Sequence, residues 1–181
     1  DADVAVIREA LQLDRPLHEQ YVSWAVNALR GQFGQSLAFP MPVIDLILER
    51  APTTIALALA ALVAALALGV PLGVAGAMNP GGWIDRGVQA AAALGQATPT
   101  FFLALLLIVL LGVGLRVLPI AGGDGVESYV MPVTVLAVHL MPASLRLTRS
   151  AMLNVLQADY IRTARAKGLH PATVLFKHGL R

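Results

Sequence analysis

No aspartate, glutamate, lysine or arginine interrupts the chain between Arg50 and Asp85, between Arg86 and Arg116, or between Glu127 and Arg146. Each stretch has room for the ~20 mainly apolar residues that cross a bilayer as one helix. Lipid offers no partner for a free backbone N–H or C=O, so such a run must satisfy its hydrogen bonds within itself. The runs predict transmembrane helices over about 53–78, 88–113 and 129–147 within residues 51–147. The fold class that follows is an all-α integral membrane protein. Only 13% of the residues are charged, roughly half the share of a soluble domain. Polar loops between the runs argue against one long fibrous helix.

Charge sets the orientation. Residues 1–50 carry four Lys or Arg and seven acids, whereas residues 146–181 carry seven basic residues and one acid. The positive-inside rule puts residues 148–181 in the cytoplasm. Three spans then put residues 1–50 on the outer face of the cell membrane. An exported N-terminus with no visible signal segment leads to the expectation of a further span upstream. There is no cysteine, hence no disulfide framework and no thiol metal site.

Residues 1–50 read as short helices at the outer surface. Val4, Ile7, Ala10 and Leu11 have helical spacing, with Asp1 or Asp3 as caps. Leu17, Tyr21, Trp24 and Leu29 form an interfacial stripe that Gly31 closes. Pro42 to Arg50 reads as a separate amphipathic helix before the first span. That span ends in Gly69-Val-Pro-Leu-Gly73 with Gly76 beyond. Small residues four apart let helices approach closely in lipid, and Pro71 marks either a harmless kink or a transport hinge. Asn79 to Arg86 reads as a tight cytoplasmic turn with an interfacial Trp83. In the second span, the hydroxyls beside Pro99 can satisfy backbone groups that the proline frees. The third span holds His139 and Pro142. An ionisable residue at membrane depth is a functional candidate; the plainer reading is a neutral His139 bonded to a carbonyl or to Ser144.

The C-terminal region is soluble in character. Asp159 is placed to cap a short helix and Gly168 to end it in the left-handed region, with Pro171 opening another. A short helix held out of the membrane on a fixed corner suits a socket on another protein. The run Asp159-Tyr-Ile-Arg-Thr-Ala-Arg-Ala-Lys-Gly-Leu169 resembles the cytoplasmic coupling loop of ABC importer permeases. Against the general Glu-Ala-Ala…Gly…Ile-x-Leu-Pro pattern, Ala164, Gly168 and Leu180 match. Arg162, Thr163, His178 and Arg181 depart from it. The departures at Arg162 and Thr163 fit the variant in B-type permeases of dipeptide and oligopeptide importers. Arg8 to Leu17 followed by Gln20 and Tyr21, and the Arg30-Gly-Gln-Phe-Gly-Gln-Ser36 run, resemble the same family.

The resemblance implies a type I permease-like helical bundle. The chain would start after the family's first span and stop within the coupling loop, the last spans being absent. It implies coupling residues Asp159, Tyr160, Arg162, Thr163, Ala164, Arg165, Ala166, Lys167, Gly168 and Leu169, with Ala164 and Gly168 facing the socket. Pro71, Pro99, His139 and Pro142 remain candidates for pathway or kink. The implied partners are a second permease, two ABC ATPase subunits carrying ATP and Mg, an extracytoplasmic solute-binding protein and membrane lipid. The chain itself would bind no cofactor. Relatives of this kind import dipeptides, oligopeptides, nickel or glutathione. The alternatives are a secondary transporter or channel, for which the spans lack charges beyond His139, and an intramembrane enzyme. No Ser-His-Asp spacing, acid pair within a span or His i,i+4 pair points to catalysis or a metal. The basic tail lacks the interleaved aromatics of a nucleic-acid surface.

Overall fold

The computed structural model describes Arg8 and residues 14–122, 125–170, 173 and 174. The expected helix over Val4 to Leu11, the Pro171 corner, His178, Leu180 and Arg181 lie outside the described residues. The chain forms two compact units, Asp1–Ile55 and Ala56–Arg181. Among the described residues the regular structure is helical, apart from one isolated antiparallel bridge between Gln35 and Pro42.

In the first unit, α1 (Leu17–Leu29) starts after Pro16 and ends at Gly31, whose φ of 77° needs no side-chain accommodation. Tyr21 and Trp24 stack obliquely at 6.1 Å and stay exposed, as an interfacial stripe requires. Ser36 Oγ then accepts hydrogen bonds from the N–H groups of Ala38 and Phe39, which folds the link into a turn.

Helix α2 (Val43–Met78) runs 36 residues without a break, about 54 Å at 1.5 Å per residue. The separate helix expected over Pro42 to Arg50 is therefore continuous with the first span. Pro52 removes one donor only, and Thr54 Oγ1 donates to the Arg50 carbonyl beside it. The buried face of α2 is a row of small residues at four-residue spacing: Ala61, Ala65, Gly69, Gly73 and Ala77. This row meets α5 (Glu127–Leu156). A Cβ at Gly69 would collide with Ser144 Oγ, and one at Gly73 would lie 2.6 Å from the Leu145 carbonyl. Backbone contact this close is available only to glycine.

The second predicted span is not a straight helix. Helix α3 (Trp83–Ala97) and helix α4 (Thr100–Leu107), which runs on through a π-helical segment Ile108–Gly114, meet at 96°. Pro99 has no N–H to give and drives Thr98 out of the helical region, to φ −79° and ψ 120°. Thr98 Oγ1 donates to the Leu94 carbonyl and closes α3. Among the described residues, two helices are thus long and apolar enough to cross a membrane, α2 and α5. The bent pair α3–α4 makes a third only if it is taken as one broken span. Helix α5 keeps Pro132 and Pro142 inside it and continues beyond the span's expected end near 147, to Leu156.

Candidate functional site

Helix α6 (Asp159–Ala166) follows α5 after a break at Gln157 and Ala158. Tyr160 therefore does not continue the Met152–Leu156 face of α5. Asp159 is not the cap either. Ala158 occupies that position in extended conformation, and Asp159 is the first helical residue. Its charge still favours the N-terminal end of the helix dipole. Its 3.5 Å pair with Arg162 is fully solvated and contributes little.

Two apolar residues at i,i+3 seat the helix. Ile161 is 0% and Ala164 6% exposed, packed with Val174 and with Val155 at the foot of α5. Ala164 thus faces inward, which corrects the expectation that it meets the socket. With Ile161 it mounts the helix on that foot. At the far end, Gly168 has a φ of 73°. Its N–H donates to the Arg165 carbonyl at 3.0 Å, and the Leu169 N–H donates to Ala164 at 3.4 Å. This pair of bonds is the Schellman arrangement that a left-handed residue permits. Tyr160, Arg162, Thr163, Arg165, Ala166, Lys167, Gly168 and Leu169 are all exposed. The outer face is a basic surface with an aromatic and an aliphatic side chain at its ends.

A polar cluster that the sequence did not reveal lies where the turn after α2 meets α3 and the lower part of α5. Asp85, read as part of a plain turn, is 1% exposed at the start of α3. Its Oδ1 accepts from Arg149 Nε at 2.6 Å and from Gln89 Nε2 at 2.9 Å. Its Oδ2 accepts from Arg149 Nη2 at 2.6 Å and from the Gly81 N–H at 2.8 Å. Three α5 residues earlier, Arg146 Nη1 donates to Gln96 Oε1 near the bend. The signal that was available is the Asp85-Arg86 pair standing alone between two uncharged runs.

The pathway candidates are not drawn together in this way. His139 is exposed on α5, and the chain offers it no hydrogen bond among the described residues. Ser144 donates instead to the carbonyls of Met141 and Ala65. Pro142 is buried, whereas Pro71 and Pro99 are exposed. No group of three His, Asp or Glu that could hold a metal ion occurs among the described residues.

Residues 69–181 match the family described as binding-protein-dependent transport system inner membrane component. The chain is 38% identical over 186 residues to the probable peptide ABC transporter permease protein y4tP of Sinorhizobium fredii, covering 98% of this chain and 59% of that protein. It is 40% identical over 191 residues to the oligopeptide transport system permease protein AppB of Bacillus subtilis, covering 99% and 60%. It is 36% identical over 178 residues to the glutathione transport system permease protein GsiC of Escherichia coli, covering 98% and 58%. The chain therefore spans less than two thirds of the length of these relatives.

Proposed function

The chain belongs to the family of binding-protein-dependent transport system inner membrane components, and from that premise we propose that it serves an ATP-driven importer of dipeptides or oligopeptides. In this reading α2, the bent pair α3–α4 and α5 help to form the translocation path. Helix α6 docks on an ABC ATPase subunit on the cytoplasmic side. One observation carries the docking role: a short helix whose inner face is seated on α5 and whose outer face, exposed among the described residues, presents Arg162, Arg165 and Lys167. A second permease, a second ATPase and an extracytoplasmic solute-binding protein complete the assembly, and ATP and Mg stay on the ATPases. Closure of the ATPases around ATP would move α6, and α5 with it. The names of the relatives support a peptide as cargo, and GsiC makes glutathione the second candidate.

Gly168 tests the docking role. A β-branched residue in its left-handed backbone costs about 1–2 kcal/mol, and nothing within 4 Å would clash with the added Cβ. The strain therefore falls on the end of α6 alone. Gly168→Val in the full-length subunit should keep normal membrane levels and reduce ATPase co-purification about five- to thirtyfold. Gly168→Asn, which tolerates the same backbone, should stay near wild type. Full ATPase recovery with Gly168→Val would make this corner a mere connector.

The orientation has its own test in the cysteine-free background. A cysteine at Ser36 should react with an impermeant thiol reagent in intact cells, and one at His170 only after lysis. Labelling of position 170 from outside would reverse the topology and remove the docking role.

A further inference from the structure

One buried carboxylate ties together the elements that carry α6. Asp85 receives four N–H donors: two from Arg149 on α5, one from Gln89 on α3 and one from Gly81 in the turn that leaves α2. Helix α2 closes the same site. A Cβ on Gly76 would lie 3.1 Å from Asp85 Oδ1 and 3.7 Å from Arg149 Cδ, and one on Gly73 3.2 Å from the Arg149 N. Val74 and Ala77 pack on Met152 one turn further along α5. Val155, the seat of Ile161 and Ala164, follows Arg149 by six residues, about 9 Å of helix. The second tie, Arg146 to Gln96, holds α3 to α5 at its other end.

Stability alone is a poor reason for such a pair. A buried ion pair can often be replaced by apolar residues with little loss, because desolvation offsets most of the attraction. What a guanidinium fork adds is orientation: two parallel bonds in one plane leave neither partner free to rotate. We propose that Asp85 and Arg149 are positioning residues for energy coupling. Their clamp makes the end of α2, helix α3 and the foot of α5 one rigid body. A displacement of α6 then reaches α3 and the Thr98–Pro99 bend, instead of being absorbed by a tilt of α5 alone. This rests on the docking role proposed for α6.

The test uses the full-length subunit assembled with its ATPases. Spin labels are placed on single cysteines at Ala90 of α3 and Ala166 of α6, both exposed. The distance between them is measured with and without the ATP analogue AMP-PNP. In the wild type it should not change with the nucleotide. The variant Asp85→Asn/Arg149→Gln keeps polar partners without an orphaned charge and removes the ionic fork. Its distance should broaden and become nucleotide-dependent, while the ATPases still co-purify. Stimulation of ATP hydrolysis by added solute-binding protein should fall about five- to tenfold, the size of a typical coupling term. Arg149→Lys, which keeps the charge but not the fork, should fall between. A wild-type distance that itself moves with AMP-PNP would overturn the proposal. So would a double variant with unchanged distance and stimulation. If neither variant accumulates in the membrane, the pair serves folding and the proposal also fails. Absence of the ATPases from the wild-type complex would instead remove the docking role beneath it.

Discussion

Asp85→Ala should deplete the full-length subunit from the membrane. Removal of the carboxylate leaves the Arg149 guanidinium without either acceptor and strips the Gly81 N–H and Gln89 of theirs. Breaking a buried pair from one side costs about 3–5 kcal/mol. The Arg149 side chain keeps 22% of its surface exposed, so it can recover some hydration; the low end, about 3 kcal/mol, is expected, or roughly a hundredfold in the folded ratio. Arg149→Ala should be the worse of the two, because the Asp85 side chain keeps only 2% of its surface. The double variant Asp85→Ala/Arg149→Ala orphans no charge and should recover part of the loss. Immunoblots of membrane fractions would read all three. Wild-type abundance for Arg149→Ala would mean that the pair does not form in the membrane.

Gly73→Val should be comparably damaging for a different reason. The new Cβ would lie 2.6 Å from the Leu145 carbonyl and 2.9 Å from Thr148 Cβ. One of these is backbone and cannot rotate away, so α2 and α5 must separate. Overpacking of a tight contact costs about 1–3 kcal/mol and occasionally more. The upper end applies here, because separation also lifts Gly76 and Met152 off their partners. Gly87→Val is the control, since nothing lies within 4 Å of that position. Thermal unfolding of the detergent-purified subunit should show a clear loss for Gly73→Val and a small one for Gly87→Val. Equal values would remove the small-residue row as the α2–α5 contact.

The features readable in the sequence are those that depend on near neighbours. Uncharged runs located the apolar helices, because lipid penalises a charge wherever it occurs. Gly168 could be placed in a left-handed turn because the helix end and the glycine are adjacent. The Gly69–Gly73 spacing announced close packing, though not which helix would be met. Pro99 announced an interruption but not an angle of 96°, which depends on what α3 and α4 each pack against. Asp85 and Arg149 are separated by 64 positions. Their pairing follows from the α2–α3 turn folding back on α5, and no local pattern encodes that. Ala164 is a different kind of miss. Ile161 and Ala164 are spaced as an inner face between Arg162, Arg165 and Lys167. The motif spans that run as a whole and carries no helical period, so it does not distinguish the inner from the outer face.

The orientation of α6 allows a direct test of the docking role. A photo-crosslinking amino acid at Ala166, on the exposed basic face, should give an adduct with the ATPase subunit when the full-length complex is irradiated. The same residue at Leu37, exposed in the first unit, should give none. An Ala166 probe that reacts only with lipid, in a complex that still contains its ATPases, would contradict the assignment of α6 as the docking element.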